Sequence, residues 1–336
     1  MSQHDTDSLN NVLKVWVLEN DFDENEIELN DTSVEMFHNF RNREKYSILT
    51  SNLGNIGSAS ISDLFFKRFD KFNSEFSFNE PYFIFIKNSQ NISYYNTRRP
   101  YTSVMHTTST KINDIQTIDF THTQNVHPDF NFGLDYDFTS SVGQFEVEGN
   151  QSSRINSVGL SSNFKKNKYS LYLSYAFNKF VLKNSGGYVD TVNAEEKYPK
   201  PKLSDSNTSL LNQDLSITQK YKFGSYKNLS YKDTIIKVLE PKISISHNLT
   251  LQRKYRIYED TESDFSYYPD FFYQEGLTYD SIGYKAIVSR SCLTVLVNYE
   301  HRSTRTSLES VMLTKKWTQH FRPPGSQYYT LNSPTV

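Results

Sequence analysis

No stretch of this chain is both long and apolar. Its 336 residues contain nothing near the ~20 consecutive apolar residues that a membrane-crossing helix needs. The longest apolar cluster is Phe83–Ile86, with Tyr82 before it and Lys87 ending it. A hydrophobic fraction of 36% and a mean hydropathy of −0.64 also exclude a helical membrane protein. A single cysteine, Cys292, excludes an internal disulfide framework and a CxxC metal site. Charge of one sign is missing too. The 36 basic residues face 38 acidic ones, for a net charge of −2, so there is no basic surplus for a nucleic-acid surface. The start, Met1 to Asp7, is acidic and polar, where an export signal has a basic start and an apolar stretch. The chain is therefore read as a fragment, or as one that begins internally.

What is present is aromatic and hydroxylated. Tyr and Phe number 24 each, which disfavours disorder, because disordered chains are poor in aromatics. Tyr, Phe and Thr suit a pleated surface with one apolar side. A membrane barrel explains how such a chain keeps low hydropathy: only every second residue faces lipid.

Three regions are expected: an appendage and linker over 1–80, strands and loops over 81–320, and an irregular tail over 321–336. In the appendage, Leu13, Val15 and Val17 alternate with Lys14, Trp16 and Leu18 as a short strand. The acidic stretch Asp21–Glu26 reads as a turn and Glu26–Leu29 as a second strand. Asp31 or Thr32 could cap a short helix over Thr32–Arg41. From about residue 82 the period becomes two. Phe130, Phe132, Leu134, Tyr136 and Phe138 share one face, opposite Asn131, Gly133, Asp135 and Asp137, a strict alternation that marks a strand. Tyr169, Leu171, Leu173, Tyr175 and Phe177 repeat it, as do segments around Val158–Phe164, Leu215–Phe223, Ile243–Leu251 and Leu293–Tyr299. Weaker versions bring the count to nine or ten strands. Tight connections (Asn125–Asp129, Lys165–Lys168) alternate with long polar ones (Ser140–Arg154, Asn184–Asn212, Tyr258–Tyr284), the habit of membrane barrels.

Soluble sandwiches alternate as well. Three features favour the barrel. The strands run to roughly ten residues, the length a tilted crossing needs, against five or six in a sandwich. Tyr and Phe stand at the ends of the apolar faces, as girdles would. Charges sit inside the polar faces, where a watery lumen would hydrate them. The expected fold is thus all-β, an antiparallel transmembrane barrel or part of one, with a small N-terminal appendage. Phe130, Phe132, Leu134, Tyr136, Phe138, Leu171, Leu173 and Tyr175 are expected to face lipid. Asp135, Asp137, Lys220, Lys222 and Lys242 are expected to line the lumen.

The segments Met36–Arg41, Leu53–Ala59, Ile92–Thr102, His122–Tyr136 and Asn184–Asp190 resemble those of the putative porins of Bacteroidetes, an outer-membrane β-barrel family. Tyr94-Tyr-Asn-Thr97 and Asn131-Phe-Gly-Leu-Asp-Tyr136 are the most specific. The resemblance, over roughly residues 30 to 320, implies an outer-membrane location, lipid and small solutes as partners, and no catalytic residues. Family barrels are larger than nine or ten strands, and this chain ends Asn332-Ser-Pro-Thr-Val336 instead of on an aromatic strand, which points to a partial barrel.

Other chemistry is set aside. Asp135 and Asp137 could approach each other as glycosidase carboxylates do, but a hydrated lumen pair is the simpler reading. Asp21, Asp23 and Asn25 imitate a calcium loop, yet its sixth and twelfth positions are Glu26 and Thr32, not Gly and Glu. Gly54 to Gly57 reads as a turn, not a phosphate cradle. The histidines lack zinc spacing, and Cys292 has no base partner along its strand. No metal, cofactor or catalysis is expected. The leading expectation is passive diffusion of small solutes. The second is a non-conducting barrel plugged by a loop such as Asn184–Asn212. The third is a secreted glycan-binding sandwich. Oligomeric state is not readable from the sequence.

Overall fold

The computed structural model describes residues 13–27, 49–52, 55–66, 76–109, 115–142, 152–187, 201–231, 234–262, 267–268, 278–299, 302–321 and 329–332. The helix expected over Thr32–Arg41 lies outside them. The elements in chain order are β1 (Leu13–Glu19), β2 (Asp23–Ile27), β3 (Thr50–Asn52), β4 (Ser60–Ser62), a 3-10 segment (Ser77–Phe85) and β5 (Tyr94–Thr97). Then come β6 (Tyr101–Thr108), β7 (Ile115–His127), β8 (Phe130–Ser141), β9 (Ser153–Lys166) and β10 (Tyr169–Asn184). The last are β11 (Ser206–Tyr231), β12 (Thr234–Asp260), β13 (Thr278–Tyr299), β14 (Arg302–Phe321) and β15 (Tyr329–Asn332).

Strands β6 to β15 form one antiparallel sheet of ten, each strand paired with its neighbour in the chain. The fold is therefore all-β, an antiparallel barrel wall with a small N-terminal unit. Among the described residues the wall is open between β6 and β15, a partial barrel. Two residues of chain separate β7 from β8, β9 from β10, β11 from β12 and β13 from β14, while the strands joined at the other rim are separated by more. In the β9–β10 turn Asn167 takes φ 53°, a left-handed conformation that asparagine tolerates better than most residues.

Period two persists because backbone pairing is indifferent to side-chain type. For that reason β11 and β12 outrun the expected ten residues, at 26 and 27. At about 3.3 Å per residue each spans roughly 85 Å, far more than the ~30 Å of a bilayer core. Beyond a register shift at Phe223/Gly224 they continue as a hairpin, pairing only with each other, from Gly224↔Pro241 to Tyr231↔Thr234. Gly224 is required at that shift, since a Cβ there would come within 2.1 Å of the Glu240 carbonyl oxygen. The loop expected over Asn184–Asn212 is shortened for the same reason: Ser206–Asn212 pair with Asn178–Asn184 of β10.

The N-terminal unit departs from expectation in two places. Its first hairpin turns at Asn20 and Asp21, both at positive φ (50° and 67°), so β2 begins at Asp23, inside the stretch expected to be all turn. The period of two begins at Tyr94, not at residue 82. Ser77–Phe85 contains Pro81, which has no N–H for a ladder, and it coils as 3-10 turns. β5 pairs with β1, Leu13↔Thr97 to Trp16↔Tyr94, giving the sheet order β2-β1-β5. That pairing puts Tyr94–Thr97 in one sheet with Leu13–Glu19.

Candidate functional site: the covered face of the sheet

The large sheet is inverted relative to a soluble protein. Along β8 the exposed side chains are Phe130 and Phe132, and the buried positions are Asn131, Gly133, Asp135, Thr139 and Ser141. Phe132 and Leu173 are 38% and 40% exposed, whereas Ser174, Asn178 and Asn248 are at most 1% exposed. Leu134, Tyr136, Phe138, Leu171 and Tyr175 are partly exposed on the same face as Phe132. Apolar side chains on open display with serines and asparagines beneath them reverse the usual partition of residues. The inversion follows from the sequence, whose odd and even positions differ in polarity, combined with what covers the polar face.

That cover is the N-terminal unit. Its apolar side chains pack on the few apolar residues of the polar face. Trp16, Leu18 and Tyr94 cluster with Tyr172 of β10, and Phe85 of the 3-10 segment clusters with Ile155, Phe180, Leu182 and Leu210. Phe76 meets Tyr284 and Ala286 of β13. Between these patches the contacts are polar. Asn178 clamps the backbone of Lys87 twice, accepting from its N–H at 2.8 Å and donating to its carbonyl at 2.7 Å. Ser157 donates to the Phe85 carbonyl at 2.8 Å, and Asn163 to that of Tyr95 at 2.8 Å. At the β3–β4 turn Gly57 (φ +86°) lies so close to β9 that a Cβ would approach Ser153 Oγ to 2.7 Å, and Ser153 donates to the Ile56 carbonyl.

Among the described residues, four ion pairs tie the unit to the wall. Asp21 meets Arg290 at 2.6 Å, Glu24 meets Lys165 at 2.7 Å, Lys87 meets Asp137 at 2.9 Å, and Asp23 lies 4.0 Å from Lys220. Lys165 Nζ also sits 3.8 Å above the Trp16 ring. The acidic turn that imitated a calcium loop is thus engaged with cations of the wall. Of the residues expected to line a lumen, Asp135, Asp137 and Lys220 contact this unit. Asp135 accepts from the Tyr95 hydroxyl at 3.0 Å and from Thr121 at 2.8 Å. Lys222 is partly buried on the same face, while Lys242 is exposed and lies just before the stretch where β12 meets β13. Asp135 therefore takes its hydrogen bonds from Tyr95 and Thr121, while Asp137 takes the ion pair with Lys87.

The two most specific segments of the sequence resemblance meet here. Tyr95, from Tyr94-Tyr-Asn-Thr97, lies over Gly133 and bonds Asp135, both from Asn131-Phe-Gly-Leu-Asp-Tyr136. A Cβ at Gly133 would stand 2.9 Å from the Tyr95 ring. Burial, and after it the negative charge of Asp135, hold the Tyr95 phenol well above its usual range, so it remains a donor. No sequence signal linked these segments. The tyrosines could be found as an aromatic pair, but not their seat.

Glu24 is where this contact responds to pH. Burial pushes its carboxyl up, but the Lys165 ammonium, hydrogen bonds from Lys165 and Tyr172, and the charge of Lys222 more than offset that, and the net shift is downward. A lowered carboxylate contributes stability above its unfolded value, and this is lost as pH falls through the folded one. With Trp317 replaced by Phe, Trp16 fluorescence is expected to report a loosening below the ordinary glutamate range. Glu24→Gln should loosen the segment at neutral pH and shrink the acid transition. An unchanged titration in that variant would deny Glu24 the role.

A wall apolar on one face and polar on the other, with short turns at one rim and long connections at the other, defines a β-barrel of porin type. The chain belongs to the family described as Putative porin, whose model matches residues 12–329. No curated protein and no solved structure matches it.

Proposed function

We propose that this protein is an outer-membrane barrel whose polar interior is filled by its own N-terminal segment. Solutes pass only when that segment shifts. The observation that carries this reading is the pairing of an exposed apolar face with a polar face covered by the described residues between Leu13 and Thr97. Water in place of lipid would leave Phe132, Leu173, Ile245 and Ile287 exposed at a cost of about 25 cal/mol per Å² of apolar surface. Lipid removes that cost, and the backbone is then satisfied strand to strand. Phe130, Phe132, Leu134, Tyr136, Phe138, Leu171, Leu173 and Tyr175 would face lipid, while Asp135, Asp137, Lys220 and Lys222 would look inward at the segment. Lys242, exposed near the start of the β11–β12 hairpin, would stand at the short-turn rim.

This modifies the simplest porin reading. Free diffusion through a lumen lined by those charges conflicts with ion pairs that already engage Asp137 and Lys220. It also gives the plugged alternative a different filling, the N-terminal segment, while Ser206–Asn212 of the Asn184–Asn212 connection belong to β11. The test is refolding of the full chain into lipid vesicles and planar bilayers. The expected result is heat-dependent mobility on gels with a conductance close to the bare bilayer. A large steady conductance of the intact chain would overturn the filled interior, and solubility without detergent would overturn the barrel.

A further inference from the structure

Between the N-terminal segment and strands β11 to β14 lies a cavity of about 530 Å³, within the ~300–1,000 Å³ range of small-molecule sites. One wall comes from the 3-10 segment and the turn after it, with Asn79, Phe83 and Ser89–Gln90. The other comes from the covered face of the sheet. Strand alternation places Asn212, Asp214, Thr250, Gln252, Lys254 and Arg290 on that face.

The bonding around this cavity is incomplete. Asn79 donates to Asn212 at 2.9 Å, and Arg290 is paired with Asp21. Yet Asn79 Oδ1, Asn212 Nδ2, Asp214 Oδ1 and Arg290 Nε are buried with no hydrogen-bond partner among the described residues. Asp214 itself is only 5% exposed. Each buried polar atom left unpaired costs about 1–3 kcal/mol. These four atoms comprise two acceptors and two donors, all belonging to residues that line one cavity. A hydroxyl supplies both functions at once. The charges lining the cavity balance in sign, Glu80 and Asp214 against Lys254 and Arg290, and Asp214 is the diagonal neighbour of Lys254 across the β11–β12 ladder. An anion would be opposed by Asp214, and a cation by Lys254 and Arg290. Phe83, Val288 and Leu313 add an apolar side, suited to the C–H face of a ring.

We propose that this cavity is a binding site for a neutral polyhydroxylated solute of mono- or disaccharide size, held by Asp214, Asn212 and Asn79. The proposal rests on the reading above in one respect, that the N-terminal segment is seated. It does not need the protein to conduct.

The experiment is isothermal titration of the full chain in detergent with D-glucose, maltose and cellobiose, and with glycylglycine as a zwitterion of similar size. Trp16 emission is monitored with Trp317 replaced by Phe. The expected result is saturable binding of at least one sugar, weakened about tenfold by Asp214→Asn and by Asn212→Ala, a loss typical of a buried hydrogen-bond partner. Both variants should keep heat-dependent gel mobility and a blue-shifted Trp16. Titrations with no saturable sugar signal, meaning water alone occupies the cavity, would overturn the proposal. Binding of glycylglycine alone, or sugar binding equal in wild type and both variants, would do the same. A solvent-exposed Trp16 emission in the wild type would overturn the seated segment, and with it this site. A seated segment with no sugar binding would overturn the site alone.

Discussion

Removal of residues 1–99 is expected to raise the conductance of the bilayer-inserted protein by about tenfold or more, because an unfilled polar interior of this kind conducts as hydrated space. The expectation follows from what the segment covers. Ser157, Ser161, Ser174 and Asn178 are buried on the face the segment covers, where Ser157 and Asn178 bond the Phe85 and Lys87 backbone. All four are readily hydrated once uncovered. The wall keeps its own ladder without the segment, since β6 to β15 pair only with one another. Single-channel recordings of the full chain and the truncated chain, refolded side by side, make the comparison. Equal conductance in the two would mean that the segment does not obstruct the path. A graded version replaces Lys165 and Arg290, the wall partners of Glu24 and Asp21, and should produce intermittent openings instead of a steady current.

The second large effect concerns the exposed face. Leu173 is 40% exposed and lies opposite Ile217 of β11, well inside the sheet. Leu173→Arg is expected to destabilise the vesicle-inserted protein by about 2–4 kcal/mol, the cost of a cation near the bilayer midplane on a barrel's lipid face. At a comparably exposed position of a soluble sandwich the same change stays within about 0.5 kcal/mol. Urea unfolding from vesicles, followed by gel mobility, separates these outcomes. A midpoint within error of wild type would mean that this face does not meet lipid.

Much of the wall was legible in the residues. The faces of β8 and β10 could be read because polarity and pleat share a period of two, and a one-residue slip would have reversed every side chain. The tight turn at Asn167 was legible from local chemistry, and the acidic turn only at its start, since Asp23–Ile27 pair as β2. Tyr82–Phe85 was misread as the onset of alternation because the apolar run Phe83–Ile86 carries no period, and Pro81 just before it was the signal to weigh. The lengths of β11 and β12 were hidden because a ladder can extend through Ser, Asn and Lys as readily as through Leu.

The composition and the alternation by themselves determined an all-β wall, apolar on one side and polar on the other, with short turns and long connections alternating between its rims. These are local properties, written within spans of ten residues. Only the tertiary structure decided what lies against the polar side. Asp21 and Arg290 are separated by 269 positions, and Lys87 and Asn178 by 91. No local periodicity encodes such distances, so a face that looked like an open, hydrated lumen proved to be the seat of the protein's own N-terminal segment.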